Sequence, residues 1–254
     1  MMFFSSDEKE PRQIITEDTP RKTGFARLVE VIVRDFWDFW RAGLLFLLTC
    51  LPLFLGIYFA FASGNPIVLL FAGALGGLLM GPQLSGLFDT VLCSLRDKPG
   101  FWWYIYRSHW KQNALCSLLP GMLTGLYGSA VLYMLYNFHH SSLNPGALAL
   151  LLLGFVFACT LLFYLWMQLV RMELSLPQIL KNSVLLLLLS PQRGLAAALL
   201  QIAYYGIFWL FQPYSSALFT ISNVWFPCLC SVFLLYKPFE DYLHLEEISK
   251  NKIK

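Results

Sequence analysis

Every Lys and Arg in this 254-residue chain, eighteen in all, falls in a terminal tail or in alternate connections between six apolar segments. The segments run at about 44–62, 67–92, 114–136, 147–170, 195–211 and 217–236. The first tail carries Lys9, Arg12, Arg21, Lys22, Arg27, Arg34 and Arg41, and the last carries Lys237, Lys250, Lys252 and Lys254. Arg96, Lys98, Arg107 and Lys111 follow segment two, and Arg171, Lys181 and Arg193 follow segment four. The other three connections hold none. Basic residues accumulate in cytoplasmic loops, so the pattern predicts an even number of spans with both termini cytoplasmic.

Composition points the same way. Only 13% of residues are charged and 57% are hydrophobic, whereas a soluble domain carries about 25% charged residues. Each segment is close to the roughly 20 residues a helix needs to cross the hydrocarbon layer. The runs Leu44 to Leu48 and Ala147 to Leu153 lack the alternation of barrel strands. The expected fold is an all-α polytopic membrane bundle of six transmembrane helices. The net charge of +3 sits beside helix ends among acids, where it orients the chain toward anionic headgroups rather than nucleic acid. No short apolar core with a cleavage site precedes residue 40, so segment one is expected to act as an uncleaved anchor.

Residues 1–24 read as a polar disordered tail, 25–242 as one membrane domain and 243–254 as a charged C-terminal tail. Phe25, Leu28, Val29, Ile32, Phe36, Phe39 and Trp40 recur at three- and four-residue spacing among Arg27, Glu30, Arg34, Asp38 and Arg41. That spacing predicts an amphipathic helix over about 25–40 in the cytoplasmic interface. Pro52 predicts a kink in segment one, and Asn65-Pro66 a short turn opening the next helix. A second interfacial helix, about 100–112, carries Trp102, Trp103, Tyr106, Arg107, Trp110 and Lys111 and runs into segment three. Residues 175–190 are too short for a span, which predicts an interfacial or half-inserted elbow ended by Ser190-Pro191.

Segment two repeats Gly73, Gly77, Gly81 and Ser85 every four residues, and segment three answers with Ser117, Gly121, Gly125 and Ser129. Small residues at this spacing let backbones approach. They predict a tight crossing or, alternatively, a narrow cavity or a seam to another subunit. Asp89 is the acid nearest a span interior and the best single polar candidate. It lies 23 residues beyond Pro66, near the end of its helix, where Arg96, seven residues on and on nearly the same helical face, is expected to balance it. Gln83, Gln168 and Gln201 are candidates for bonds between helices. Prolines at Gly81-Pro82 and Pro120-Gly121 mark bends of the kind that also shape transporter sites. The six cysteines read as buried thiols packing as small apolar groups, and His139-His140 as a solvated loop pair. The chain lacks a P-loop motif, H-E-x-x-H and G-x-S-G, so no enzyme chemistry, metal or cofactor is expected.

The order of these features resembles the YesL family, bacterial membrane proteins classed as domain of unknown function 624. The resemblance runs from Phe36-Trp37-Asp38-Phe39-Trp40 and Leu51-Pro52 through Gly81-Pro82-Gln83-Leu84-Ser85-Gly86-Leu87 and the aromatic-basic helix ending at Asn113. It ends with Arg171-Met172-Glu173-Leu174-Ser175-Leu176-Pro177 and the residues to Ser183. The long polar tail departs from the family's pattern. Membership implies a Gram-positive cell-membrane protein encoded beside carbohydrate ABC importers, with importer permease subunits as candidate partners and no catalytic residues to carry over. The expected function is an accessory or regulatory role in carbohydrate uptake. The alternative is a small-molecule-binding transport subunit or permease-like protein, and a homo-oligomer stays open.

Overall fold

A computed structural model describes residues 23–98, 100–140 and 145–243. Residues 1–22 of the expected disordered tail, residues 244–254 and the side chains of His139 and His140 lie outside the described residues. Nine helices and no strand form among them: α1 (Phe25–Thr49), α2 (Leu51–Ser63), α3 (Pro66–Leu95), α4 (Trp102–His140), α5 (Pro145–Arg171), α6 (Leu176–Leu189), α7 (Pro191–Leu210), α8 (Ser215–Ser222) and α9 (Trp225–Leu243). Stretches from α3, α4 and α5 are long and apolar enough to cross a bilayer alone. Six such spans result if the bent pairs α1–α2, α6–α7 and α8–α9 each count as one.

Each break has a local cause. The α1–α2 bend of 42° falls at Cys50, just before Pro52, which lacks the amide proton a continuous helix would use. Gly64 ends α2 at φ 64°, and the Asn65 side chain then accepts the Ile67 amide at 2.9 Å to open α3. The elbow between α6 and α7 bends by 98° at Ser190-Pro191, where the Ser190 and Tyr164 hydroxyls share a hydrogen bond of 2.7 Å. Val184, Leu185, Leu188 and Leu189 on α6 are left exposed.

Two expectations need correction. Segment six is broken into α8 and α9 with a 57° bend at Asn223, whose φ is 24°. The buried Asn223 side chain accepts the Trp225 amide at 3.0 Å, and its carbonyl accepts the Tyr204 hydroxyl at 2.7 Å. A Cβ on Gly43 would collide with the Asn223 amide, so α1 approaches this break only because residue 43 has no side chain. The amphipathic N-terminal helix also does not end near residue 40, and its apolar side is only partly covered, Leu28, Ile32 and Phe36 packing against the core. Val31 and Phe39 turn inward with Arg27 and Asp35, while Phe25, Val29, Val33 and Trp37 form an outward stripe. It continues unbroken from Phe25 to Thr49 apart from a kink at Asp35 (φ −114°, ψ 18°).

The core joins α1, α3, α5 and α9. Phe39 stacks on Trp225 with centroids 5.5 Å apart, and Phe88 on Trp166 at 6.2 Å. The buried amides behave as expected of polar groups inside a bundle. Gln168 donates to Ser183 Oγ at 2.9 Å and Gln201 to Ser231 Oγ at 2.8 Å, tying α5 to α6 and α7 to α9.

Candidate functional site

The small-residue stripes of α3 and α4 meet in antiparallel register. A Cβ on Gly73 would strike Ser129 and the Gly125 carbonyl, one on Gly77 the Gly121 carbonyl, and one on Gly81 the Ser117 carbonyl. The stripes therefore face each other within one chain, and the seam they form is not one to a second subunit. Ser85, Ser117 and Ser129 are buried and donate back to Pro82, Ala114 and Leu126 carbonyls, so their hydroxyls add no unpaired donor to the seam.

That register carries the chain to its charged end. Twelve residues further along α3 and twelve back along α4 from the Gly77–Gly121 crossing, Asp89 meets His109. Asp89 is buried, with Oδ1 3.7 Å from His109 Nδ1 and 3.6 Å from Cys93 Sγ. Its Oδ2 has no hydrogen-bond partner among the described residues. Arg96 does not balance it as the helical spacing suggested: the ion-pair neighbour is His109, on the other helix. His109 escaped the sequence reading, although the glycine register contained the signal.

Beside this pair, α1 clasps the α3–α4 turn. Arg27 Nη2 lies 2.5 Å from Asp97 Oδ2, and Arg34 pairs with Asp97 Oδ1 and donates to the Ser94 carbonyl at 2.7 Å. Ser94 Oγ donates to Asp35 at 2.6 Å. Burial opposes ionisation of Asp97, but the hydrogen bonds from Arg27 and Arg34 outweigh it and hold its carboxyl below its ordinary range. Asp97 itself takes a φ of 55°, which closes the turn.

The aromatic-basic helix is continuous with α4, whose 39 residues span about 58 Å, nearly twice the hydrocarbon thickness. Its expected contact residues divide between two sides. Trp102 donates to Thr90 Oγ1 at 3.2 Å and packs on Tyr106, which is buried over Gly86 and hydrogen-bonds Gln83. Trp110 is half-buried, with its Nε1 unpartnered among the described residues. Trp103, Arg107 and Lys111 face outward, beside Phe101 and Tyr104.

Away from this end the bundle holds a cavity of about 500 Å³ between α1–α2, α3, α4, α5 and α7–α9. Phe46, Leu84, Phe88, Phe163, Trp166 and Tyr205 are among its walls. Of its polar side chains, Thr124 and Gln201 are already engaged, with Trp166 and the Pro120 carbonyl and with Ser231 and the Pro227 carbonyl. All six cysteines are free thiols, and no cluster of three or more His, Cys, Asp or Glu suited to a metal occurs among the described residues.

Among the described residues, three helices are long and apolar enough to cross a bilayer alone, or six spans result if each bent pair counts as one, which suits a helical membrane protein. No family model, curated protein or solved structure matches the chain.

Proposed function

We propose that this chain is a six-span bacterial cell-membrane protein with both termini in the cytoplasm. It acts as a non-enzymatic accessory or regulatory subunit beside a carbohydrate ABC importer. The single observation behind an accessory role is the outward half of the α4 entrance, where Phe101, Trp103, Tyr104, Arg107 and Lys111 stand exposed while their inward neighbours hold the helix to α3. An aromatic and basic surface anchored on a rigid helix suits a contact with a membrane partner at headgroup depth. The convergence of Arg27, Arg34, Arg96, Lys98 and Arg171 at one end supports the orientation. The link to sugar uptake, and to importer permease subunits as partners, comes from the YesL resemblance.

Crosslinking in the native host followed by affinity purification in mild detergent tests the reading. Permease subunits should be captured by the wild type and lost with Trp103→Ala/Arg107→Glu. Capture of no importer component while the sugar system is running would overturn it. Single cysteines placed at residues 65 and 98 should label from opposite sides of the membrane.

The cavity favours a second reading, a small-molecule-binding transport subunit or permease-like protein. Its apolar walls suit an apolar molecule, because a sugar's hydroxyls would lose water there without gaining partners. An apolar compound retained in native mass spectra of the purified protein, and lost with Gly128→Phe at the cavity wall, would favour this reading.

A further inference from the structure

We infer that Arg96 and Arg171 form a binding site for a phosphate group at the charged end of the bundle. Arg96 caps the C-terminus of α3 and Arg171 is the last residue of α5. Phe88 of α3 packs on Phe163 and Trp166 of α5 with centroids 5.6 and 6.2 Å apart, so the two helices carry these C-terminal guanidinium groups to the same place, with Tyr236 of α9, Cys93 and Asp89 as electrostatic neighbours of Arg171. Both are partly buried, and Arg96 Nη1 and Arg171 Nε are enclosed with no hydrogen-bond partner among the described residues. Neither guanidinium has a carboxylate within ion-pairing distance there. This contrasts with Arg27 and Arg34, which converge on Asp97 a turn away.

Two like charges brought together at a helix–helix junction repel, and each enclosed N–H without an acceptor carries a desolvation cost. The nearby protein groups do not remove it. Asp89 offers its Oδ1 to His109 and Cys93 and its buried Oδ2 accepts from neither guanidinium, and the Tyr236 hydroxyl donates to Glu240 Oε1 at 3.1 Å. A phosphate resolves both problems at once: its several oxygens accept from two guanidinium forks, and its charge offsets theirs. Basic pockets between helices at the cytoplasmic side of a membrane take phospholipid headgroups in this way. The phosphate source is then a lipid headgroup or a free phosphate. The headgroup source rests on the orientation proposed above; the free-anion source does not.

The test uses the full chain purified in mild detergent at low salt, with the thermal unfolding midpoint as readout. Inorganic phosphate, dioctanoyl phosphatidylglycerol and dioctanoyl phosphatidylcholine are titrated separately. A saturable upward shift of a few degrees is expected with at least one of the three. A shift with inorganic phosphate identifies a free-anion site, and a shift confined to the lipids identifies a headgroup site. Arg96→Gln and Arg171→Gln should each weaken the response about tenfold, whereas Lys181→Gln, on the exposed side of α6, should not. Without ligand, neither Gln variant should melt below the wild type, because each removes one of two repelling charges. Arg171→Lys keeps the charge and should retain a weakened response, which guards against a loss caused by misfolding. No saturable shift with any probe, an unchanged shift in the Arg96→Gln/Arg171→Gln double variant, or a lowered ligand-free midpoint in both single variants would each overturn the assignment.

Discussion

Arg27 reaches seventy residues along the chain to place its Nη2 2.5 Å from the carboxylate of Asp97. Arg34 closes on the other oxygen of the same group. One carboxylate thereby holds the first helix against the turn between the third and fourth. Both Arg27 and Asp97 are nearly enclosed, so the pairing is better shielded than a surface ion pair.

Asp97→Asn should therefore lower stability by about 1–2 kcal/mol, because two guanidinium groups lose their shared counter-charge while Glu30 and Asp35 still pair with them. The folded-state pKa of Asp97 is depressed. Its contribution is complete above the ordinary carboxylate value, about 3.9, and is lost as pH falls through the folded value. Thermal midpoints in detergent across acidic pH should show a steeper decline for the wild type than for the Asn variant.

At the α3–α4 seam, Gly77→Ala should destabilise markedly, since the new methyl would overlap the Gly121 carbonyl. Gly128→Ala on the same long helix meets nothing within 4 Å. It should be neutral or stabilise by up to about 1 kcal/mol through helix propensity. Midpoints for the two variants should thus move in opposite directions or differ widely.

Gln201→Leu removes the amide that links α7 to Ser231 and the Pro227 carbonyl. Hydrogen bonds between membrane helices contribute modestly, so a loss of about 1 kcal/mol is expected. Ser231→Ala in the Gln201→Leu background should then cost little more, which a double-mutant cycle measures.

For Asp89 the sign reverses. Its carboxylate is buried with one oxygen unpartnered among the described residues, so Asp89→Asn should leave stability unchanged or raise it. Under the proposed role in carbohydrate uptake, fully retained sugar-dependent growth in the host would remove Asp89 as the leading single-site candidate. Loss of growth in a protein that melts normally would place function at the Asp89–His109 pair.

Local signals carried much of the fold. Uninterrupted apolar length announced helices, because a backbone in lipid must satisfy its own hydrogen bonds. Pro52, Asn65-Pro66 and Ser190-Pro191 marked real bends or starts through the missing proline amide. The four-residue spacing of Gly73, Gly77 and Gly81 with Gly121 and Gly125 anticipated a close crossing. Nothing comparable marked Asn223 as a break. That break depends on Gly43 and Tyr204, from two other helices, giving the Asn223 side chain room and its carbonyl a donor.

By itself, the sequence determined that this chain is helical and apolar, that it breaks near Pro52 and at Ser190-Pro191, and that its basic residues alternate between connections. Those properties follow from hydropathy, proline geometry and four-residue spacing, all of which act within a few turns of chain. Tertiary structure alone decided that Arg27 and Arg34 share Asp97, that Asp89 faces His109 rather than Arg96, and that Arg96 and Arg171 stand together with no carboxylate in ion-pair contact among the described residues. It also decided which half of the aromatic-basic helix turns outward. Electrostatic pairing depends on distance in space, and helices sixty or seventy residues apart set that distance only when they pack.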